Sequence, residues 1–334
     1  MSLLVTGAAG FIGGTFTYEA LKRGYTVIGC DNFANSKPQT IKKIKKLFPD
    51  NFIFNEVDLK NSDDLNKAVA NKNITQVIHF AALKSIPESE KFPEKYWENN
   101  LKGTENLLNT MKINSIKELI FSSSASIYGQ SAKQPITEKS KVQPLSVYAE
   151  TKAASERLIK ESTLKENLKA ISLRYFNPLG SHSDLMIYEN PMTEFGNIMP
   201  KLLRIFLEID NDFSIFGDDY NTRDGTGERD YLHISDLIEG HFLALPHLKN
   251  ISGYDVFNLG TGKGVTVLEL LNTFEKVSGV SIQKKIKERR SGDVDVCYSD
   301  SSKSNKILGW SAERSLFDMC DDSIKSLKKN KDEL

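Results

Sequence analysis

Short apolar runs alternate with longer segments of helical spacing along the first half of the chain. Residues 3–6 read as a strand that is apolar almost throughout, and residues 12–23 carry apolar positions at helical intervals up to Gly24. The strand pattern returns at 26–30 and 52–56, residues 65–70 fall on a helix, and 76–80 make a fourth strand. One long helix is predicted around 95–113, then a strand at 118–122, a helix over about 147–164 and a strand at 170–175. Apolar strands separated by amphipathic helices predict an α/β fold, a doubly wound parallel sheet covered on both faces.

The texture changes after Asn177. Loops rich in Gly, Pro, Asn and Asp occupy 178–197 and 217–230, with shorter helical patterns between them. The reading that follows is a Rossmann nucleotide domain over 1–176 and a smaller mixed α/β domain for substrate over 177–334. Residues 233–258 (strand-like at His233-Ile234, helical to about 247, strand-like again at 256–259) are expected to return to the first.

Composition narrows the partners. The 334 residues are 39% hydrophobic and 26% charged, ordinary for a protein with a sizeable core. Lysine plus arginine balances aspartate plus glutamate at 44 each, so no nucleic acid or membrane surface is indicated as a partner. The run Lys42, Lys43, Lys45, Lys46 has helical spacing and reads as a solvated face. No apolar stretch approaches the roughly 20 residues that span a bilayer. The residues after Met1 read as a buried strand and not as a leader, so a cytoplasmic protein is expected. The terminal Lys331-Asp332-Glu333-Leu334 spells a retrieval signal, but in a lysine-rich end and without a leader it reads as coincidence. Cys30, Cys297 and Cys320 are odd in number and scattered, which suggests neither a disulfide framework nor a metal site.

The chemistry begins at Thr6-Gly7-Ala8-Ala9-Gly10-Phe11-Ile12-Gly13, which joins the first strand to the first helix. Glycines let the turn tighten and let the backbone approach a pyrophosphate, while the helix start presents free N–H groups and partial positive charge. The spacing is G-x-x-G-x-x-G, not the usual G-x-G-x-x-G; its place at the head of a βαβ unit gives it weight. Asp31 ends the second strand, 24 residues after Gly7. A carboxylate there accepts from both ribose hydroxyls and repels a 2′-phosphate, which favours NAD over NADP. Asp58, after the third strand, is placed to accept from the adenine amino group.

Tyr148 and Lys152 stand at i and i+4 on a predicted helix and so share a face. A free phenol titrates near about 10; a lysine charge beside it lowers that value and makes it a usable general base. The strand end Phe121-Ser122-Ser123-Ser124-Ala125-Ser126-Ile127-Tyr128-Gly129 puts serines where ligands bind in doubly wound sheets, beyond the carboxyl ends of the strands.

The glycine turn, the serines 122–124 and Tyr148…Lys152 together resemble the extended short-chain dehydrogenases/reductases. Four further stretches narrow the resemblance to the UDP-hexose (UDP-galactose) 4-epimerases: His79-Phe80-Ala81-Ala82-Leu83-Lys84, Asn99-Asn100, Arg174-Tyr175-Phe176-Asn177-Pro178, and Asp224-Gly225-Thr226-Gly227-Glu228-Arg229-Asp230-Tyr231. It runs from about residue 1 to 312. It implies an isomerase with retained NAD, a UDP-sugar substrate, no metal, and a homodimer. By position it implies that Tyr148 takes the proton of the sugar 4-hydroxyl, that Lys152 tunes it and holds the nicotinamide ribose, and that Ser124 positions the 4-oxygen. Gly7, Gly10, Phe11, Ile12, Gly13, Asp31, Asn32, Asp58, Leu59, Phe80, Ala81, Lys84, Asn99, Ser122 and Tyr175 would line the cofactor. Lys84, Phe176, Asn177, Asn197, Ile198, Phe216, Arg229, Tyr231, Arg290, Asp293 and Cys297 would hold the UDP-sugar.

The implied reaction passes hydride from sugar C4 to NAD, turns the 4-keto sugar over, and returns the hydride to its other face. At the position of Cys297 the glucose/galactose-restricted bacterial members resemble one another in carrying a tyrosine; a small residue leaves room for a 2-acetamido group, so UDP-GlcNAc and UDP-GalNAc are expected substrates too. Cys297 read simply as a small buried residue, with neighbours closing the gap, is the plainer alternative. A nucleotide-sugar 4,6-dehydratase would need an acidic pair within 122–128, where this chain has none. A UDP-hexuronate 4-epimerase shares the serine-rich strand end and stays open. An NAD-sensing protein without activity would have lost Tyr148 or Lys152, and both are present. The homodimer would pair the helices near 95–113 and 147–164; Leu101, Leu107, Leu108 and Met111 fit such a face and fit the core equally well.

Overall fold

Ser2–Thr6 (β1) lies at the centre of a seven-stranded sheet, with Thr26–Asp31 (β2) on one side and Ile74–His79 (β4) on the other, all parallel. Phe52–Glu56 (β3) completes one edge, while Glu118–Ser122 (β5), Lys169–Tyr175 (β6) and Tyr254–Leu259 (β11) extend the other. The computed structural model describes residues 1–129, 133–184, 187–189, 197–290 and 293–331. Leu3, Leu4, Val5, Val77, Ile78, Leu119 and Ile120 are fully buried, as strands covered on both faces require. The strand order reverses between β1 and β4, the place where doubly wound sheets bind their ligands.

The covering helices are Phe11–Lys22 (α1), Pro38–Leu47 (α2), Ser62–Val69 (α3), Gly103–Ile113 (α6) and Val147–Glu166 (α7). On α2 the buried positions are Ile41 and Ile44, which leaves Lys42, Lys45 and Lys46 exposed. The single helix predicted over 95–113 is broken up. Ile86–Lys91 (α4) and Pro93–Tyr96 (α5) lead into a π-helical turn, Trp97–Lys102, before α6 begins. Asn100 supplies the physical reason. It is 3% exposed; its side chain accepts from Leu83 N at 2.8 Å and donates to Leu83 O and Thr151 Oγ1 at 3.0 Å. A regular turn would not aim it there, and side-chain bonds of this kind offset a wide turn.

Leu107, Leu108 and Met111 lie in the core with Leu4, Ile28 and Leu119, and Leu101 is half-buried. The first three therefore pack under the sheet and do not form a pairing face, because α6 presents Asn109 and Lys112 to solvent.

The chain divides into two compact units. The first comprises Met1–Ile127, Ser146–Arg174 and His241–Phe257; the second Tyr128–Leu145, Tyr175–Gly240 and Asn258–Leu334. Residues 128–145 thus fall in the second unit, and the returning segment starts at His241 where the sequence suggested 233. The difference arises inside one helix, Ile234–His247 (α9). In its second half, Phe242 stacks on Phe16 of α1 at 4.7 Å and His241 meets the same ring at 6.0 Å. In its first half, Asp236 accepts from the backbone N–H groups of Glu313 and Arg314, and its carbonyl from Trp310 Nε1.

The second unit is built from short sheets. Asn177–Leu179 (β7) pairs with Tyr231–His233 (β10); Glu228–Arg229 (β9) lies between Val265–Thr266 (β12) and Val296–Cys297 (β14); Asp212–Phe216 (β8) pairs with Gln283–Lys287 (β13). Ile198–Phe206 (α8), Val267–Ser278 (α10), Ser302–Leu308 (α11) and Leu316–Lys329 (α12) accompany them. Leu202, Phe213, Leu271, Phe274, Met319 and Cys320 fill the core. Among the described residues no helix is long and apolar enough to cross a membrane. Residues 332–334 of the terminal tetrapeptide lie outside the described residues, as do Ser291, Gly292 and parts of the loop expected at 178–197 (185–186 and 190–196).

Candidate active site

The turn after β1 tolerates no side chain at two of its three glycines. Gly7 has φ +71°, and a Cβ there would lie 2.7 Å from Ala81 N; a Cβ on Gly13 would lie 2.1 Å from Gly7 O. Both clashes are with backbone, which cannot swing away. Gly10 is roomier, its nearest such atom at 3.4 Å; as the N-cap of α1 it brings no side chain to cover the helix start formed by Phe11 and Ile12. Those conditions suit an anion at a helix terminus. Gly13→Ala is expected to cost about 1–3 kcal/mol and to strip bound dinucleotide from the purified protein, read by thermal melting and by cofactor content.

Asp31 closes β2 and accepts from Ala9 N at 3.0 Å, Phe33 N at 2.8 Å and Ser36 Oγ at 2.9 Å. An ionised carboxylate has about four acceptor positions, so capacity for a ribose hydroxyl is left. Asn32 accepts from Ala34 N. Half-buried Asp58 accepts from Lys60 N at 2.9 Å, and its neighbour Leu59 is buried. Phe80 leans on Phe16 and on His241, with centroids 5.5 and 4.9 Å away, and Ala81 N reaches Thr6 Oγ1 at 3.4 Å. Lys84 is exposed; Asn99 is half-buried and donates to Asn100 Oδ1. Asn100, quoted in the motif without a role, proves to be the bracket between the 80–85 loop and α7. Neighbouring asparagines look alike in sequence, and only the π turn decides which one turns inward.

Ser122 does not turn its hydroxyl to the site as its position suggested. The side chain is fully buried and bonds His241 Nε2 at 3.1 Å, while its carbonyl accepts from Lys152 Nζ at 2.7 Å. Ser124 behaves otherwise. Its hydroxyl bonds the Tyr148 phenol and accepts from Ser126 N and Oγ at 3.2 and 2.9 Å. The residue Ser146 caps α7 by accepting from Ala149 N, which starts the helix just before the tyrosine.

Lys152 is 3% exposed, with its Nζ 4.8 Å from the Phe121 ring centroid. Burial pushes its pKa down to about 7, and the Glu156 charge works against that. Tyr148 departs from expectation. The lysine charge was to lower the phenol, yet burial is the larger influence and holds it above its ordinary value, with the Ser124 hydrogen bond pulling the other way. A phenolate in a desolvated position is costly, and a buried lysine that is itself desolvated offsets less of that cost.

In the second unit Arg229 and Asp293 hold each other, Nη2 to Oδ1 at 2.7 Å, and Arg229 Nη1 also donates to Glu228 O. The Arg290 guanidinium stacks on the Phe216 ring at 3.9 Å. Tyr231 is buried, which pushes its phenol up to about 12. Phe176 is buried with its N–H on Leu259 O; Tyr175 is half-buried; Asn177 is exposed, with its N–H on Asp230 O. Asn197 precedes α8 and donates to Glu189 Oε1 at 2.9 Å, and Ile198 packs against the core. Cys297 pairs with Arg229 in the β14–β9 register, and burial pushes its thiol up to about 11, which rules out a reactive thiolate.

Asp230 is the residue sequence reasoning missed. It is fully buried and accepts five hydrogen bonds, from Thr261 N and Oγ1, Gly262 N, and Ser299 N and Oγ. It ties the loop after β11 and the one after β14 to the Arg229–Tyr231 segment. Three polar or aromatic residues in a row do not reveal which of them points inward.

Residues 3–260 match the model of the NAD dependent epimerase/dehydratase family. The chain belongs to that family. Its family relatives include the UDP-glucose 4-epimerase of Bacillus subtilis, 40% identical over 97% of this chain and 96% of that protein, and that of Drosophila melanogaster, 39% identical over 96% and 95%. Among solved family structures, the UDP-glucose-4-epimerase of Stenotrophomonas maltophila with bound NAD and formylated UDP-arabinopyranose superposes with a TM-score of 0.95 at 36% identity, over 100% of both chains. The Bifidobacterium longum UDP-glucose 4-epimerase in complex with NAD+ and UDP gives 0.94 at 37%, again over 100% of both.

Proposed function

We propose that this chain is an NAD-dependent 4-epimerase of UDP-hexoses. The observation that carries the reading is the Tyr148 phenol on the Ser124 hydroxyl, one helical turn from a buried Lys152, behind a glycine turn and an uncovered helix start that suit a dinucleotide's pyrophosphate. Bound NAD supplies the acceptor, and once reduced the donor, of a hydride at sugar C4. Tyr148 Oη takes the proton of the 4-hydroxyl and returns it; Ser124 Oγ bridges phenol and sugar oxygen; the Lys152 ammonium favours the phenolate and binds the nicotinamide ribose. The first unit is the NAD-binding one, with Asp31 on the adenosine ribose. The second is the UDP-binding one. Arg229 and Arg290 hold the diphosphate, since a planar fork suits phosphate oxygens, and Asp293 and Asn177 hold the uridine side. Firm anchoring at UDP lets the keto sugar turn over while it stays bound.

Cys297 extends the reading to N-acetylated sugars. Cys297→Tyr is expected to lower turnover of UDP-GalNAc by about 10–100-fold and to spare UDP-galactose. Equal loss on both substrates would remove Cys297 from specificity. A cytoplasmic homodimer belongs to the same reading and predicts elution at twice the 37.5 kDa chain mass.

The test is incubation of purified protein, with no NAD added, with UDP-galactose, UDP-GalNAc and UDP-glucuronate in separate reactions. UDP-glucose and UDP-GlcNAc as products establish the reading. UDP-glucose alone keeps the epimerase and removes the N-acetyl substrates. Product from UDP-glucuronate alone, with NAD present, replaces the reading by a uronate epimerase.

A further inference from the structure

One buried cluster of charge in the first unit has no part in the chemistry so far. Glu156 follows Lys152 by four residues on α7, so the two share a helix face. Its carboxylate meets Arg174 of β6 in a fork, Nε to Oε1 at 2.9 Å and Nη2 to Oε2 at 2.6 Å, and both side chains are buried. Ser123 Oγ donates to the same Oε1 at 2.5 Å, and Ser123 N donates to Leu173 O at 2.9 Å. Ser123 is the middle serine of three. On one side the Ser122 carbonyl takes Lys152; on the other the Ser124 hydroxyl takes Tyr148. A buried ion pair is poor evidence for stability, because desolvation cancels much of its attraction. Its place, one residue from each contact of the reacting pair, points to another use.

We propose that Glu156 is a positioning residue for the Tyr148–Lys152 pair: gripped by Arg174 and Ser123, it locks the serine strip against α7 and supplies the negative charge that keeps Lys152 an ammonium. The proposal rests on the epimerase reading only for its kinetic consequence.

The surroundings leave this part to Glu156. Lys152 faces His79 on β4, Phe121 and Ser122 on β5, and Tyr148 and Glu156 on its own helix; Arg174 of β6 and Tyr254 of β11 act on Glu156, and His241 on Ser122. His79 is neutral, pushed down to about 3 by burial and by the lysine charge. Burial also works against the ammonium. Glu156 is the group whose charge favours it.

The test uses full-length protein labelled with 13C-lysine. The Lys152 ε-carbon signal, assigned with Lys152→Met, is titrated by NMR, and kcat and KM on UDP-galactose are followed against pH. Glu156→Gln keeps an oxygen for Arg174 and Ser123 but removes the charge. Glu156→Asp keeps the charge. Glu156→Gln with Arg174→Gln leaves no buried guanidinium unpaired and serves if the single variant fails to fold. In Glu156→Gln the Lys152 midpoint should fall by about 1 pH unit and the pH profile of kcat should shift to lower pH with it, KM unchanged; in the double variant, which also loses the Arg174 charge, the fall should be smaller, and the Asp variant should titrate as wild type does. A Lys152 midpoint that does not move in the Gln variants overturns the proposal, whatever happens to activity. A midpoint that moves in a protein without epimerase activity upholds the charge role and sinks the epimerase reading instead.

Discussion

Tyr148→Phe should lower kcat on UDP-galactose by about 10²–10⁴-fold, the usual contribution of one general acid–base group, with the fold and the UDP affinity intact. The substitution removes one oxygen and keeps the ring, so the half-buried position stays filled and α7 keeps its Ser146 cap. The phenol's bond to Ser124 is lost, but that hydroxyl still accepts from Ser126 N and Oγ. Nothing buried is left unsatisfied, so the melting temperature should hardly move. Stopped assays with product separation, set beside a thermal melt and a UDP titration, distinguish the cases. A variant that retains a tenth or more of wild-type kcat would show that another group takes the proton, and Ser124 would be the first to examine.

Asp230→Ala is expected to act on the fold alone and to be the larger effect on stability. Five donors converge on a carboxylate without solvent access. Removing it strands three backbone N–H groups and two hydroxyls in the interior, and unsatisfied buried donors cost about 1–3 kcal/mol each before the hydroxyls find other partners. A loss of about 3 kcal/mol or more follows, and a fall in melting temperature of about 6 °C or more. Asp230→Asn, which keeps one acceptor oxygen, should lie between. Chemical denaturation of the three proteins gives the ranking, and an alanine variant as stable as wild type would mean that water replaces the carboxylate.

These two residues differ in how far the sequence disclosed them. Tyr148 announces itself through Lys152 four positions on and through the serines of the preceding strand end, because helical spacing and strand polarity are both written along the chain. The sheet was legible for the same reason: strands buried on both faces must be apolar at nearly every position, as 3–5 and 119–121 are. Asp230 was not legible, since its five donors come from two segments distant in sequence, 261–262 and Ser299. Asn100 was not either, because whether an asparagine interrupts a helix depends on a partner at Leu83 and Thr151. Leu107, Leu108 and Met111 show the limit from the apolar side. A hydrophobic helix face states that it must be covered and says nothing of what covers it; here the sheet does. The sign of the Tyr148 shift was missed because a charge nearby can be read from spacing and desolvation cannot.

The position of β11 in the sheet has a bearing on synthesis. β6 ends at Tyr175 and its outer neighbour begins at Tyr254, about eighty residues later. As the polypeptide leaves the ribosome, β6 therefore waits with an open row of amide and carbonyl groups, a template for any passing strand, until about half of the second unit has emerged. Growth of the nascent chain must outrun self-association over that interval, and a pause in translation between the two strands is the moment at which this molecule is most exposed to aggregation and to the chaperones that prevent it.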